Sequence, residues 1–209
     1  GLSYVFDYPF DLEFNTQATG VHILVGGRQL GKSTSLKKLI LKIISQKVNP
    51  SQILYLTCDK VLDWLDLYNY IKGFLDEQAS LKTYLLVDKA TYIKDWELSI
   101  KALYDEGKLE NCLCLISGSD KIILEDAITR LAGRRGNNFK VDWEITALSF
   151  RQFVSLVKPK INFSKSPIQE KDILFQTYLK TGGYLVAINE YLSKNTITEG
   201  VYKTYQDWV

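Results

Sequence analysis

Over the first 145 residues, short apolar runs of strand length alternate with longer stretches in which apolar side chains recur every three or four positions. The runs cover residues 21–25, 53–57, 84–88, 112–116 and 139–145. After the first, Leu36, Leu39, Ile40, Ile43 and Ile44 recur at helical spacing. Lys37, Lys38, Lys42 and Lys47 occupy the other faces, which predicts an amphipathic helix packed on a sheet. Asn49-Pro50-Ser51 ends it. Further helices are predicted over 61–78, 94–106 and 120–131, with a turn at 133–138. Strands that alternate with helices imply right-handed parallel crossovers, hence a three-layer α/β fold around a five-stranded parallel sheet. Beyond Ala147 the pattern is helical only, over 149–157 and 172–180, joined by a Pro- and Lys-containing connection at 158–168. The expected organisation is an α/β core over residues 1–146 and a small all-helical unit over 147–209.

The first strand is followed by Gly26-Gly27-Arg28-Gln29-Leu30-Gly31-Lys32-Ser33-Thr34 and then by the first helix, the context that a phosphate-binding loop requires. Gly26 and Gly31 let the backbone curl so that successive N–H groups face phosphate oxygens, and the helix offers its positive end. Lys32 then reaches the β- and γ-phosphates, and the Ser33 hydroxyl ligates Mg²⁺. Residues 26–34 are therefore expected to hold ATP or ADP. Asp88 closes an apolar strand downstream, where a carboxylate can hold the Mg²⁺ water shell beside Ser33.

Composition narrows the setting. The chain has 209 residues, 46% of them hydrophobic, enough for one core and a smaller appendage. The apolar stretches are strand-sized or broken by lysines, and no basic-then-apolar leader opens the chain, so neither a membrane span nor a secretory signal is expected and the default location is cytoplasmic. Net charge is only +2, which does not announce nucleic acid. The three cysteines, Cys58, Cys112 and Cys114, sit in strand-like runs and are expected to be buried thiols; His22, inside the first strand, is expected to be a packed imidazole. The chain stops on Tyr-Gln-Asp-Trp-Val with two large aromatics and no polar tail, so more protein is expected to follow.

Six segments in order, 26–34 (GGRQLGKST), 85–93 (LLVDKATYI), 115–120 (LISGSD), 131–135 (LAGRR), 148–153 (LSFRQF) and 181–185 (TGGYL), resemble the prokaryotic AAA+-type ATPases often called the archaeal ATPase family. The resemblance implies a P-loop core followed by a helical lid, and commonly a further C-terminal domain. It also implies roles: Lys32 and Ser33 as phosphate and Mg²⁺ contacts, Asp88 as the Walker B aspartate, and Ser117 or Ser119 as the polar sensor that orients the attacking water. Arg134 falls where the family has a Gly-Arg pair, and an arginine there stabilises charge on the γ-phosphoryl group, in cis or in trans. The same string also reads as a solvated turn. Arg151, at the start of the lid, is either a core contact or a surface ion-pair partner.

One residue departs from the pattern. The family order after this strand is Asp-Glu, with the glutamate polarising water; here Lys89 follows Asp88. An ammonium cannot accept the water's proton, although it can pair with phosphate oxygens. Three explanations stand side by side: a natural Lys89 with weakened hydrolysis, an introduced change, or another carboxylate such as Asp95 or Glu97 taking over. The expected function is accordingly an ATP-binding module that couples binding, with or without hydrolysis, to a conformational switch. The alternatives are a hydrolysis-deficient nucleotide-binding scaffold and, with less support, a small-molecule kinase. The expected partners are the nucleotide, a protein client or a second copy, and nucleic acid through a missing C-terminal domain.

Overall fold

The computed structural model describes residues 14–78, 81–119, 121–136 and 141–206, apart from the side chains of 121–123 and 204–206. The chain divides into two compact units, whose described residues are 14–145 and 146–206.

The first unit is built on five parallel strands, β1 (Gly20–Gly26), β2 (Ile53–Thr57), β3 (Thr83–Asp88), β4 (Cys112–Gly118) and β5 (Asp142–Ile145), in the order β2-β3-β4-β1-β5. Of the three inner strands, β3 and β4 are buried at every position. Their sequences are accordingly near-continuous apolar runs, because a parallel strand with helices on both faces has no wet side. Of the run predicted over 139–145, residues 139 and 140 lie outside the described residues, and the strand begins at Asp142. Asp120, the start of the fourth predicted helix, lies outside them too.

Four helices cover the sheet: α1 (Lys32–Ser45), α2 (Trp64–Glu77), α3 (Glu97–Asp105) and α4 (Lys121–Arg130). Leu67 and Ile71 of α2, Ile100 and Leu103 of α3, and Leu124 and Ala127 of α4 share one apolar cluster with Ile23, Leu85, Val87, Cys114 and Ile116. Trp96 is fully buried in it. Leu24, Leu86 and Leu115 alternate with those strand residues and so belong to the other face, and α1 packs on β1 and β3 through buried Leu36, Leu39 and Ile43. Ile44, grouped with that stripe by spacing, is 40% exposed. It sits at the last turn of a helix whose buried stripe ends at Ile43. His22 is buried with its ring edge-on to Phe14, centroids 4.8 Å apart, and all three cysteines are buried free thiols.

The second unit is all-helical: α5 (Phe150–Val157), α6 (Ile168–Thr181), α7 (Leu185–Lys194) and α8 (Glu199–Gln206). Ser149 and Gln152 cap α5 reciprocally, a capping box visible in the sequence as Ser-x-x-Gln. The sequence pattern predicts two helices here, whereas the described residues of this unit form four. The second predicted one begins earlier, at Ile168, directly after Pro167. The last two were missed because Gly182-Gly183 and Asn195 break the periodicity, each in the left-handed conformation. Leu148, Phe153, Val154, Leu174 and Ile188 form this unit's core. Gly183 fixes its geometry: a Cβ there would lie 2.2 Å from the Leu148 carbonyl oxygen, and the Leu148 N–H donates to Gly183 O at 2.9 Å.

Candidate nucleotide-binding site

The carboxyl ends of the strands carry the polar residues that the sequence singled out. Register places Gly26 of β1 opposite Ile145, Val25 opposite Gly118, and Thr57 opposite Asp88, so the ends of all five strands meet along one edge. That edge is where open α/β sheets bind ligands.

Residues 27–31 form the loop from β1 to α1. Gly31 at φ 92° and Gln29 at φ 56° both adopt the left-handed region, turning the chain back on itself before the helix begins. Gly26 has no room for a side chain, since a Cβ would lie 2.5 Å from Ile145 O. The helix that follows has no side-chain N-cap and no acidic residue in its first turn, so the amides of its first turn are left for another acceptor. Gly27, Arg28, Gln29 and Thr34 are exposed, Gly31 and Ser33 half-buried, and Leu30 buried as the loop's anchor.

Lys32 is the electrostatic centre of this loop. It is 8% exposed, and its ammonium donates to Gly26 O at 2.6 Å and Gly27 O at 2.7 Å. Burial pushes its pKa down from 10.5 to about 8; the Asp88 carboxylate opposes that fall and the Arg28 charge adds to it. A charge held by two carbonyl dipoles inside the protein is poised for an anion that would replace them.

Asp88 is buried at the end of β3. Its Oδ2 accepts from the Tyr55 hydroxyl at 2.8 Å and its Oδ1 from Ser117 Oγ at 2.5 Å. Ser117 Oγ in turn accepts from the Lys89 backbone N–H at 3.2 Å. Of the two candidate sensor serines, the structure brings Ser117 against Asp88; Ser119 follows the last residue of β4 and is half-buried. Tyr55 was not anticipated. Its signal was a hydroxyl at the same parity as Thr57 on β2, the strand that pairs with β3. Burial and then the Asp88 hydrogen bond push the Tyr55 phenol well above its ordinary range.

Lys89 turns out of the strand at φ 61°, and its ammonium pairs with Asp59 Oδ2 at 2.6 Å. The pair holds Asp59 down to about 2, with Lys89 the largest cause, and raises Lys89 above its ordinary value. Asp95 and Glu97, the other carboxylates considered for the missing acid's role, have a different partner. Both are engaged by Arg130, at 3.7 Å and 2.5 Å, and Glu97 is buried.

Arg134 is not brought to this edge. Its guanidinium makes a two-pronged pair with Asp105 at the end of α3, at 2.6 and 3.2 Å. The neighbouring Arg135 carbonyl accepts from Val21 N–H near the start of β1. Val21 lies five residues before Gly26, roughly 17 Å along an extended strand. In this structure Arg134 is thus placed at the opposite end of β1 from Gly26. Arg151 is exposed on α5. The three thiols are pushed up by burial, Cys58 to about 12 and Cys112 to about 11, and Cys114 also lies well above its ordinary value. Burial and raised pKa are what is expected of structural cysteines.

The residues present therefore fit a nucleoside triphosphate with Mg²⁺: uncapped amides, a buried ammonium, a hydroxyl in the first helical turn, and a buried carboxylate across the strand ends. Fold and site together define an AAA+-type P-loop ATPase module. The AAA domain family matches residues 18–154, about two thirds of the chain, and the chain belongs to that family. An uncharacterised protein of Methanocaldococcus jannaschii is 31% identical over 144 residues, which cover 65% of this chain and 28% of that protein. The chain thus matches well under half of that relative's length. Among solved structures, the Walker-type ATPase of Pyrococcus abyssi superimposes with a TM-score of 0.54 at 15% identity, covering 90% of this chain and 67% of that one. Cdc6p from Pyrobaculum aerophilum gives 0.55 at 16%, covering 90% and 57%. The replication initiator DnaA bound to AMPPCP and single-stranded DNA gives 0.54 at 14%, covering 90% and 59%. These likenesses share the fold. No described helix is long and apolar enough to cross a membrane.

Proposed function

We propose that this chain binds Mg²⁺-ATP at the β1–α1 loop and uses the nucleotide to switch the helical unit, acting as a lid, between two arrangements. The observation that carries the reading is Lys32, a buried ammonium held by two loop carbonyls at the mouth of an uncapped helix. Gly26, Gly27, Arg28, Gln29, Leu30, Gly31 and Thr34 shape or line the loop. Ser33 and Asp88 hold the metal, which when bound neutralises phosphate charge and polarises the γ-phosphoryl group. Asp88 is kept in place for this by Tyr55 and Ser117. The protein works in the cytoplasm, with a client protein, a second copy or nucleic acid as the partner; DnaA, which binds single-stranded DNA, is a precedent for the last.

The second reading, a scaffold that binds without turnover, is favoured by Lys89 in the position of the water-polarising acid. Phosphate release and hydrogen exchange, measured together on the chain with Mg²⁺-ATP, test both. Protection of loop amides with slow phosphate release supports a switching ATPase; protection without release supports the scaffold. Unchanged exchange in saturating nucleotide would refute the binding on which both depend.

A further inference from the structure

The Lys89–Asp59 pair is the feature of this edge that the family pattern does not account for. β2 and β3 are paired with Thr57 opposite Asp88; Asp59 lies two residues past the first and Lys89 one past the second. Asp59 rides on the short turn 58–60, and both of its oxygens are tethered, Oδ1 by the Thr57 hydroxyl and Oδ2 by Lys89. Each side chain is 39% exposed, so water reaches the pair. Asp95 and Glu97 are held by Arg130, and Asp88 is engaged by Tyr55 and Ser117.

Resting on the ATP-binding reading above, we propose that Asp59 supplies the water-orienting carboxylate that position 89 lacks, with Lys89 holding it until the γ-phosphate draws the ammonium away. Asp59, on the turn that follows β2, presents a carboxylate to water beside Lys89. In the step that follows, the water oxygen bonds to Pγ and the bond from Pγ to the β–γ bridging oxygen breaks, its electron pair leaving with ADP. The proton that the water loses passes by way of the Asp59 carboxylate to solvent. Loss of the ammonium partner raises the proton affinity of Asp59 and makes it a better acceptor at the moment it is needed. Lys89 therefore reads the γ-phosphate, and the site prefers ATP to ADP.

The test uses the full chain with Asp59→Asn, Asp59→Glu and Lys89→Met, followed by phosphate release, Mg²⁺-ATP and Mg²⁺-ADP affinity and melting temperature. Asp59→Asn is expected to slow release about a hundredfold through kcat, with the ATP affinity not weakened and the melting temperature retained, and Asp59→Glu to recover part of the rate. Lys89→Met is expected to lower the ratio of ATP to ADP affinity about tenfold, a readout that does not depend on turnover. Release unchanged in Asp59→Asn, an unchanged affinity ratio in Lys89→Met, or a parent chain that binds Mg²⁺-ATP and releases no phosphate would each overturn the proposal while leaving the binding site standing. A parent chain that binds no nucleotide would overturn both.

Discussion

Nucleotide binding is expected to take up a proton at alkaline pH, and the reason is Lys32. In the ligand-free chain its pKa is about 8, because burial disfavours the ammonium more than Asp88 supports it. A triphosphate against the ammonium restores its preference for the charged form, carrying the pKa back to the ordinary lysine value of about 10.5 or above. The sign follows directly: below pH 8 both states hold the proton and binding is proton-neutral, whereas above it the free site has lost a proton that the complex regains. With those values the uptake is about 0.5 proton per site at pH 8 and about 0.9 at pH 9, and apparent affinity falls roughly tenfold between pH 7 and pH 9. Calorimetric titration with Mg²⁺-ATP in two buffers of different ionisation enthalpy reads the uptake directly, in a range where the triphosphate itself no longer titrates. Lys32→Met removes the uptake and serves as the blank. A flat affinity from pH 7 to pH 9 without proton uptake would show that Lys32 is not the group that meets the phosphate.

The neighbouring glycines of the helical unit separate conformational strain from crowding. Gly182→Ala, at φ 59° with the Tyr184 ring 3.3 Å from the added carbon, is expected to cost about 1 kcal/mol by denaturant unfolding. Gly183→Ala adds a Cβ 2.2 Å from Leu148 O and breaks the Leu148–Gly183 hydrogen bond, for a loss of about 3 kcal/mol; equal losses would refute that packing. Arg134→Ala is expected to leave the Mg²⁺-ATP affinity and the single-chain hydrolysis rate unchanged, because its partner is Asp105 and its place is the far end of β1; a lower rate that depends on protein concentration would instead mark Arg134 as acting on a neighbouring copy.

The parts of this fold written in local pattern were legible, and the parts set by pairing across the sheet were not. Residues 26–34 announce themselves because a phosphate loop needs glycines, lysine and serine at fixed offsets between a strand and a helix. The buried strands β3 and β4 read equally plainly as unbroken apolar runs. The helices after Gly183 were hidden behind left-handed breaks that end one period and start another. The partners of Asp88 are 33 and 29 residues away, and it is the pairing of β2 and β4 with β3, not any local pattern, that brings Tyr55 and Ser117 to it. Lys89 is visible in the sequence as an anomaly, yet its partner Asp59 lies 30 residues earlier, on the turn after the adjacent strand. Arg134 matches a family position in order along the chain, while the partner of its side chain, Asp105, is 29 residues away and not legible in that order.

The most direct measurement is the equilibrium affinity of the chain for Mg²⁺-ATP beside that of Lys32→Ala, with circular dichroism confirming that both are folded. Loss of the charge-assisted contacts of one buried ammonium corresponds to about 2 to 3 kcal/mol, or a weakening of roughly 30- to 150-fold. An affinity for Mg²⁺-ATP that survives Lys32→Ala undiminished would contradict the assignment of the β1–α1 loop as the nucleotide site.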